Sequence, residues 1–264
     1  MDTHNRFVAM LDIMGASKSM TRAPKAMGNI LMKCKKLIQE HRAMSNIYIT
    51  MYSDSITVIT KDDDASSFED LIYATAILER LFIQNQYAIN GAISYGKITV
   101  DDGADFVFYG KPVVEAHKIQ EDLFFYGIVL DCKAVSKMRT YEQTLFCVAL
   151  SGAYSHPDML IEMMCPIKSG GWQKMYAINW MDLCVFSENG GFATYGDQIA
   201  PIKEMLKQLY EKYVVTKNYG GRANYYLINT ELVLREWYEF TSKINQTDGW
   251  GTLLADKNLI RIPE

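Results

Sequence analysis

Residues 6–17, RFVAMLDIMGAS, decide how this chain folds. A short apolar run ending on a carboxylate reads as a buried strand closed by Asp12. Gly15, Ala16 and Ser17 then make a small-residue turn. Residues 23–42 carry apolar side chains at helical spacing (Met27, Ile30, Leu31, Cys34, Leu37, Ile38). Pro24 falls in the first turn of that helix, where a missing N–H costs nothing. Residues 47–60, IYITMYSDSITVIT, are β-branched and aromatic and turn tightly at Ser53-Asp54-Ser55, which predicts a hairpin.

The pattern continues outward from there. The acidic loop 61–64 ends the hairpin and favours the start of a helix over 68–82, because carboxylates stabilise helix N-termini. Residues 87–100 predict a long strand whose glycines mark a bend or a close backbone approach. A turn at 101–103, a strand at 106–109, a helix at 111–122 and strands at 128–131 and 145–150 follow. The order is β-α-β-β-α-β-(β)-α-β. It predicts an α+β fold with a ferredoxin-like core, a mainly antiparallel sheet with helices on one face. Residues 6–150 form this core. Residues 151–264 form a C-terminal extension packed on it, with strand-like pieces at 172–180 and two helical stretches at 198–213 and 223–244.

Composition narrows the class. The 264 residues are 49% hydrophobic and 22% charged, as in an ordinary globular protein. The net charge of -4 provides no overall basic field for nucleic acid or an anionic membrane. The five cysteines form no CxxC pair and the four histidines no HExxH, so neither zinc nor a disulfide framework is indicated. No window approaches the roughly 18 apolar residues of a membrane span, and the start lacks a signal-peptide pattern. A cytoplasmic protein is expected.

Asp12 and Asp54 carry the chemistry. Taken singly, each reads more readily as a turn aspartate bonding local backbone N–H groups. In a split β-α-β sheet, however, their strands are central neighbours, so the two carboxylates can converge as ligands for hard cations. Free N–H groups from Met14 to Ser17, at a helix start, suit phosphate. Two metals beside a phosphate-binding turn fit in-line displacement on a nucleoside triphosphate.

The motifs Phe7–Ser17 (FVAMLDIMGAS), Tyr52–Ser55 (YSDS), Gly91–Gly96 (GAISYG) and Phe108–Ala116 (FYGKPVVEA) resemble, in order, those of class III nucleotide cyclases. Within that class they are most similar to the bacterial pyrimidine cyclases of the Pycsar anti-phage system. The resemblance spans roughly residues 6–150. It implies a cytosolic homodimer with active sites at the subunit interface, making cyclic UMP or cyclic CMP for a separate cyclic-nucleotide-binding effector.

It also implies roles. Asp12, Asp54 and the carbonyl of Ile13 would ligate two Mg²⁺ or Mn²⁺ ions. Met14, Gly15, Ala16 and Ser17 would hold phosphates, Tyr52 would face the base, and Lys118 would approach the phosphates. Lys174 is a second lysine considered for that task. Departures are informative. Val114 and Lys118 stand where other cyclases place an asparagine and an arginine, Thr50 where they place a purine-selecting lysine, and Asn90 where related sequences often have an arginine. The expected reaction is UTP to cyclic UMP and pyrophosphate. Cytidylate cyclase, purine cyclase and an inactive nucleotide-binding module are the alternatives; a diguanylate cyclase is disfavoured by the absence of GGDEF.

Overall fold

The computed structural model describes residues 1–14, 24–40, 45–85, 87–103, 106–141 and 160–178, with positions 208, 229 and 230. The described elements are β1 (Asp2–Ile13), α1 (Pro24–Glu40), β2 (Ile47–Tyr52), β3 (Ser55–Thr60), α2 (Ala65–Gln84), β4 (Ile89–Asp101), β5 (Val107–Tyr109), α3 (Lys111–Asp122), β6 (Ile128–Leu130), α4 (Cys132–Met138), β7 (Leu160–Ile167) and β8 (Gly171–Ile178). The expected strand at 145–150 lies outside the described residues. So do the helical stretches at 198–213 and 223–244, apart from the helical positions Gln208, Asn229 and Thr230.

The expected α+β fold is present. One mixed sheet runs β2-β3-β1-β4-β6-β8-β7, with β5 paired to β4. The first four strands in that order are antiparallel neighbours, which is the split β-α-β core. β6 joins β4 in parallel, and β8 and β7 extend the same sheet antiparallel. Two later positions, Asn229 and Thr230, contact the core. Tyr126 donates its N–H to Thr230 Oγ1 at 2.7 Å, and Asn229 Nδ2 donates to the Phe124 carbonyl at 2.7 Å.

β1 is buried on both sides, and alternation along it sorts the helices. Phe7, Ala9, Leu11 and Ile13 face one way, into a core with Met27 and Cys34 of α1, Phe68, Leu71, Leu78 and Phe82 of α2, and Ala134 of α4. Val8 and Met10 face the other way, with Ile59, Ile98 and Val100, against Val113 and Ala116 of α3. Helices on one face is therefore right for α1, α2 and α4, while α3 covers part of the opposite face. The apolar even-numbered positions of β1 demand a second cover, and α3 supplies it.

Asp64 caps α2, its carboxylate accepting from the Ser67 N–H at 2.7 Å. Asp131 caps α4 in the same way, through Ala134 N–H at 2.6 Å. Each cap satisfies one of the otherwise unpaired donors of a first helical turn.

Candidate active site

Asp12 is the next-to-last residue of β1 and Asp54 sits in the β2–β3 turn, and the sheet register brings them together. Asp12 lies opposite Ser55, the residue after Asp54. The Ile13 N–H donates to the Asp54 carbonyl at 2.8 Å, and the Met14 N–H to the Ala88 carbonyl at 2.9 Å. Asp54 directly follows Ser53, whose φ of 56° is left-handed. Such a backbone is uncommon outside glycine and makes this hairpin turn tight.

One cross-strand row contains Tyr52, Ser55, Asp12 and Asn90, taken from β2, β3, β1 and β4. Thr50, Thr57, Met10 and Ala92 form the next row on the same face. Tyr52 is 84% exposed, so its ring is open to a planar ligand or a second chain. Thr50 lies two residues along β2 from Tyr52, on the same side, and brings no charge to this face.

Asn90 and Gln120 fix α3 over the row. Gln120 Nε2 donates to Asn90 Oδ1 at 3.1 Å, and Asn90 Nδ2 donates to the Gln120 carbonyl at 3.4 Å. Both residues are buried. Asn90 is therefore a clamp on α3. Val114 and Lys118 are exposed on that helix.

Electrostatics single out Asp12. Burial pushes its carboxyl up to about 6, and the Asp54 carboxylate adds to the rise, while His117 and Lys168 oppose it. Among the described residues, its carboxylate accepts no hydrogen bond. A partly buried carboxylate facing another one, with a raised proton affinity, is a site that favours a cation. Among the described residues no three His, Cys, Asp or Glu side chains gather into a closed metal cage. The donor set fits Mg²⁺ or Mn²⁺ all the same, because such ions are commonly held by one or two carboxylates plus substrate phosphates.

Two side chains that oppose the rise of Asp12 were not singled out from the sequence. His117 lies on α3, its Nδ1 3.3 Å from Gln120 Oε1. Lys168 lies in the β7–β8 turn, which is tied to the end of α3. The Lys168 N–H donates to the Asp122 carbonyl at 2.7 Å, and its ammonium donates to the Glu121 carbonyl. Lys174, by contrast, is paired with Glu162 at 2.6 Å on the β7–β8 hairpin. Only strand pairing distant in sequence reveals the role of the Lys168 turn. Gly15, Ala16 and Ser17 lie outside the described residues.

No family model and no curated protein matches the chain. Among solved structures it is similar to the catalytic core of a rhodopsin-guanylyl cyclase with converted specificity in complex with ATPαS, at 11% identity and a TM-score of 0.43, covering 67% of this chain and 97% of that one. It is similar to the guanylate cyclase domain of RhGC from Catenaria anguillulae in complex with GTP, at 10% identity and a TM-score of 0.44, covering 68% and 98%. It is also similar to a bacterial light-regulated adenylyl cyclase, at 10% identity and a TM-score of 0.45, covering 78% and 100%.

Proposed function

We propose that this chain is a nucleotide cyclase that closes the ribose 3′-oxygen of a nucleoside triphosphate onto its α-phosphorus and releases pyrophosphate. The observation that carries this reading is the pairing of Asp12 with Asp54 at adjacent strand ends, with Asp12 raised to about 6. Asp12, Asp54 and the Ile13 carbonyl would hold two Mg²⁺ or Mn²⁺ ions, which when bound supply the positive charge that activates the 3′-hydroxyl and neutralises the leaving group.

The chain's own groups do the rest. Backbone N–H groups of Gly15, Ala16 and Ser17 would bind the β- and γ-phosphates, whereas the expected Met14 N–H is already committed to the Ala88 carbonyl at 2.9 Å. Lys168 adds positive charge beside Asp12, and Lys118 extends from α3, the helix that also carries His117. Tyr52 stacks on the base. The 3′-hydroxyl gives up its proton to solvent, and its oxygen bonds the α-phosphorus as the α–β bridging oxygen leaves with pyrophosphate.

We infer a pyrimidine base, with UTP first and CTP second. Thr50 places no lysine beside Tyr52 to select a purine, and the ordered YSDS, GAISYG and YGKPVVEA motifs resemble pyrimidine cyclases. The active unit is a homodimer with Tyr52 facing the partner. Cyclic UMP made this way would serve anti-phage defence in the cytoplasm through a separate effector. The test is incubation of purified protein with each of the four ribonucleoside triphosphates and Mn²⁺, with mass spectrometry of the products. Cyclic UMP supports the reading; cyclic AMP or GMP overturns the base assignment, and no cyclic product from any of the four overturns the activity.

A further inference from the structure

A second concave site lies against the middle of β4. Tyr95, Gly96, Lys97, Lys111, Pro112, Lys133, Ser136, Lys137 and Thr140 line a cavity of about 530 Å³. That volume is within the range of small-ligand sites. Along β1 and β4, Asp12 pairs with Asn90 but Arg6 pairs with Gly96. Six residues of strand put this cavity roughly 20 Å from the paired aspartates.

Four lysines from three elements converge here in a chain whose net charge is -4. Two carboxylates hold part of the set in place. Glu115 binds Lys133 at 2.7 and 2.9 Å and lies 3.6 Å from Lys111. Asp63 binds Lys137 at 3.1 Å and accepts from the Tyr95 hydroxyl at 2.6 Å. Both carboxyls are held below their ordinary range by these partners, so both are firmly anionic. Lys97 has no ion-pair partner among the described residues. Asp131 acts on Lys133 as well, so the four lysines outnumber the carboxylates around them by one.

The wall is closely built. Gly110, at φ 157°, precedes α3, and a Cβ there would meet the Lys97 carbonyl oxygen at 2.6 Å. The first turn of α3 is thus set directly against β4. Ser136 adds a hydroxyl to the four lysines, beside Tyr95, Gly96 and Pro112, while the Thr140 hydroxyl is committed to the Lys137 carbonyl at 2.7 Å. A concave pocket with excess ammonium charge, a hydroxyl and an aromatic edge suits a soluble anion rather than a flat surface.

We propose that this cavity is a second binding site, for a small phosphate-bearing anion of up to nucleotide size. It requires no divalent metal, and it stands whether or not the chain is a cyclase. α3 joins it to the aspartate end, with Lys111 and Pro112 at the cavity and Gln120 on Asn90.

The test is calorimetric titration of the full chain with pyrophosphate in EDTA, which removes metal from the aspartate end. Saturable binding is expected. Lys97→Gln with Lys111→Gln, both at exposed positions, should weaken it about tenfold or more. Lys97→Arg with Lys111→Arg should restore it, and Lys174→Gln should leave it unchanged. Equal affinity in wild type and the double glutamine variant overturns the site. So does the absence of saturable binding below about 1 mM. An equal response to sulfate overturns the assignment to phosphate.

Discussion

The amide of Ile13 donates to the carbonyl of Asp54 at 2.8 Å, so the end of β1 and the tip of the β2–β3 hairpin are joined through backbone alone. The carboxylates of Asp12 and Asp54 take no part in that bond. Replacing Asp54 with alanine should therefore leave the hairpin in place while removing half of the anionic pair. Turnover should fall more than a hundredfold, on the scale of losing one electrostatic group at a reacting centre. The melting temperature in EDTA should not fall. Cyclase assays beside thermal melts of the variant check this; unchanged turnover would remove Asp54 from the mechanism.

The pair should also leave a mark on stability against pH. Asp12 rises from an ordinary value of 3.8 to about 6, chiefly by burial and then by Asp54. Below the lower value it is protonated in both folded and unfolded chains. Between the two values the folded chain binds more protons, so stability falls as pH rises, and the loss is complete above about pH 6. Metal-free wild type should lose melting temperature across this window relative to Asp12→Asn. Mn²⁺ should restore it above the window and less below it, because metal and proton compete for the same carboxylate. Parallel pH profiles for wild type and variant would rule out the paired-aspartate electrostatics.

Gly91 tests the packing behind the site. It faces Leu11 across β1 and β4, and a Cβ there would meet Leu11 Cδ2 at 2.4 Å and the Met10 carbonyl oxygen at 2.7 Å. The side-chain atom can move but the backbone oxygen cannot. Gly91→Ala should force the two central strands apart and cost about 2–3 kcal/mol. Urea unfolding measures it; a loss below about 0.5 kcal/mol would mean the strands are less tightly set than the structure shows.

That glycine also shows what was legible in advance. A glycine inside an apolar strand pattern signals close backbone approach, and Gly91 makes one. β1 was legible as a short apolar run closed by a small-residue turn, the β2–β3 hairpin by its β-branched and aromatic residues around Ser53-Asp54-Ser55, and α3 by its place after the 106–109 strand. α4 was missed because seven residues, CKAVSKM, are too short to show a helical period, and its Asp131 cap reads equally as a turn. β7, LIEMMCPI, was missed because methionine, cysteine and proline weaken a strand pattern, and its place depends on pairing with β8. The second face of the sheet was missed for a related reason. An apolar run buried on both sides shows no alternation to say that a helix covers each side. His117 and Lys168 were overlooked because only the folding of the β7–β8 turn onto the end of α3 brings Lys168 toward Asp12.

Lys168 and Lys174 divide the labour of positive charge near the sheet end, and their partners say how. The Lys174 ammonium is paired with the Glu162 carboxylate at 2.6 Å on an exposed hairpin. The Lys168 ammonium instead donates to the backbone carbonyl of Glu121, and its charge acts on Asp12. The Lys168 charge thus acts at the aspartate end, where the triphosphate would bind, whereas that of Lys174 is paired with a carboxylate. Lys168→Ala should raise KM for the triphosphate about tenfold, the scale of one charge-assisted contact, with a smaller change in kcat. It should also shift Asp12 toward a higher pKa, visible as a pH-rate profile whose acid limb moves up, since a cation that favoured the carboxylate is gone. Lys174→Ala should change neither. Steady-state kinetics of both variants between pH 5 and 9 decide it. Equal effects of the two substitutions, or an unmoved acid limb in Lys168→Ala, would show that the β7–β8 turn braces α3 without serving the substrate.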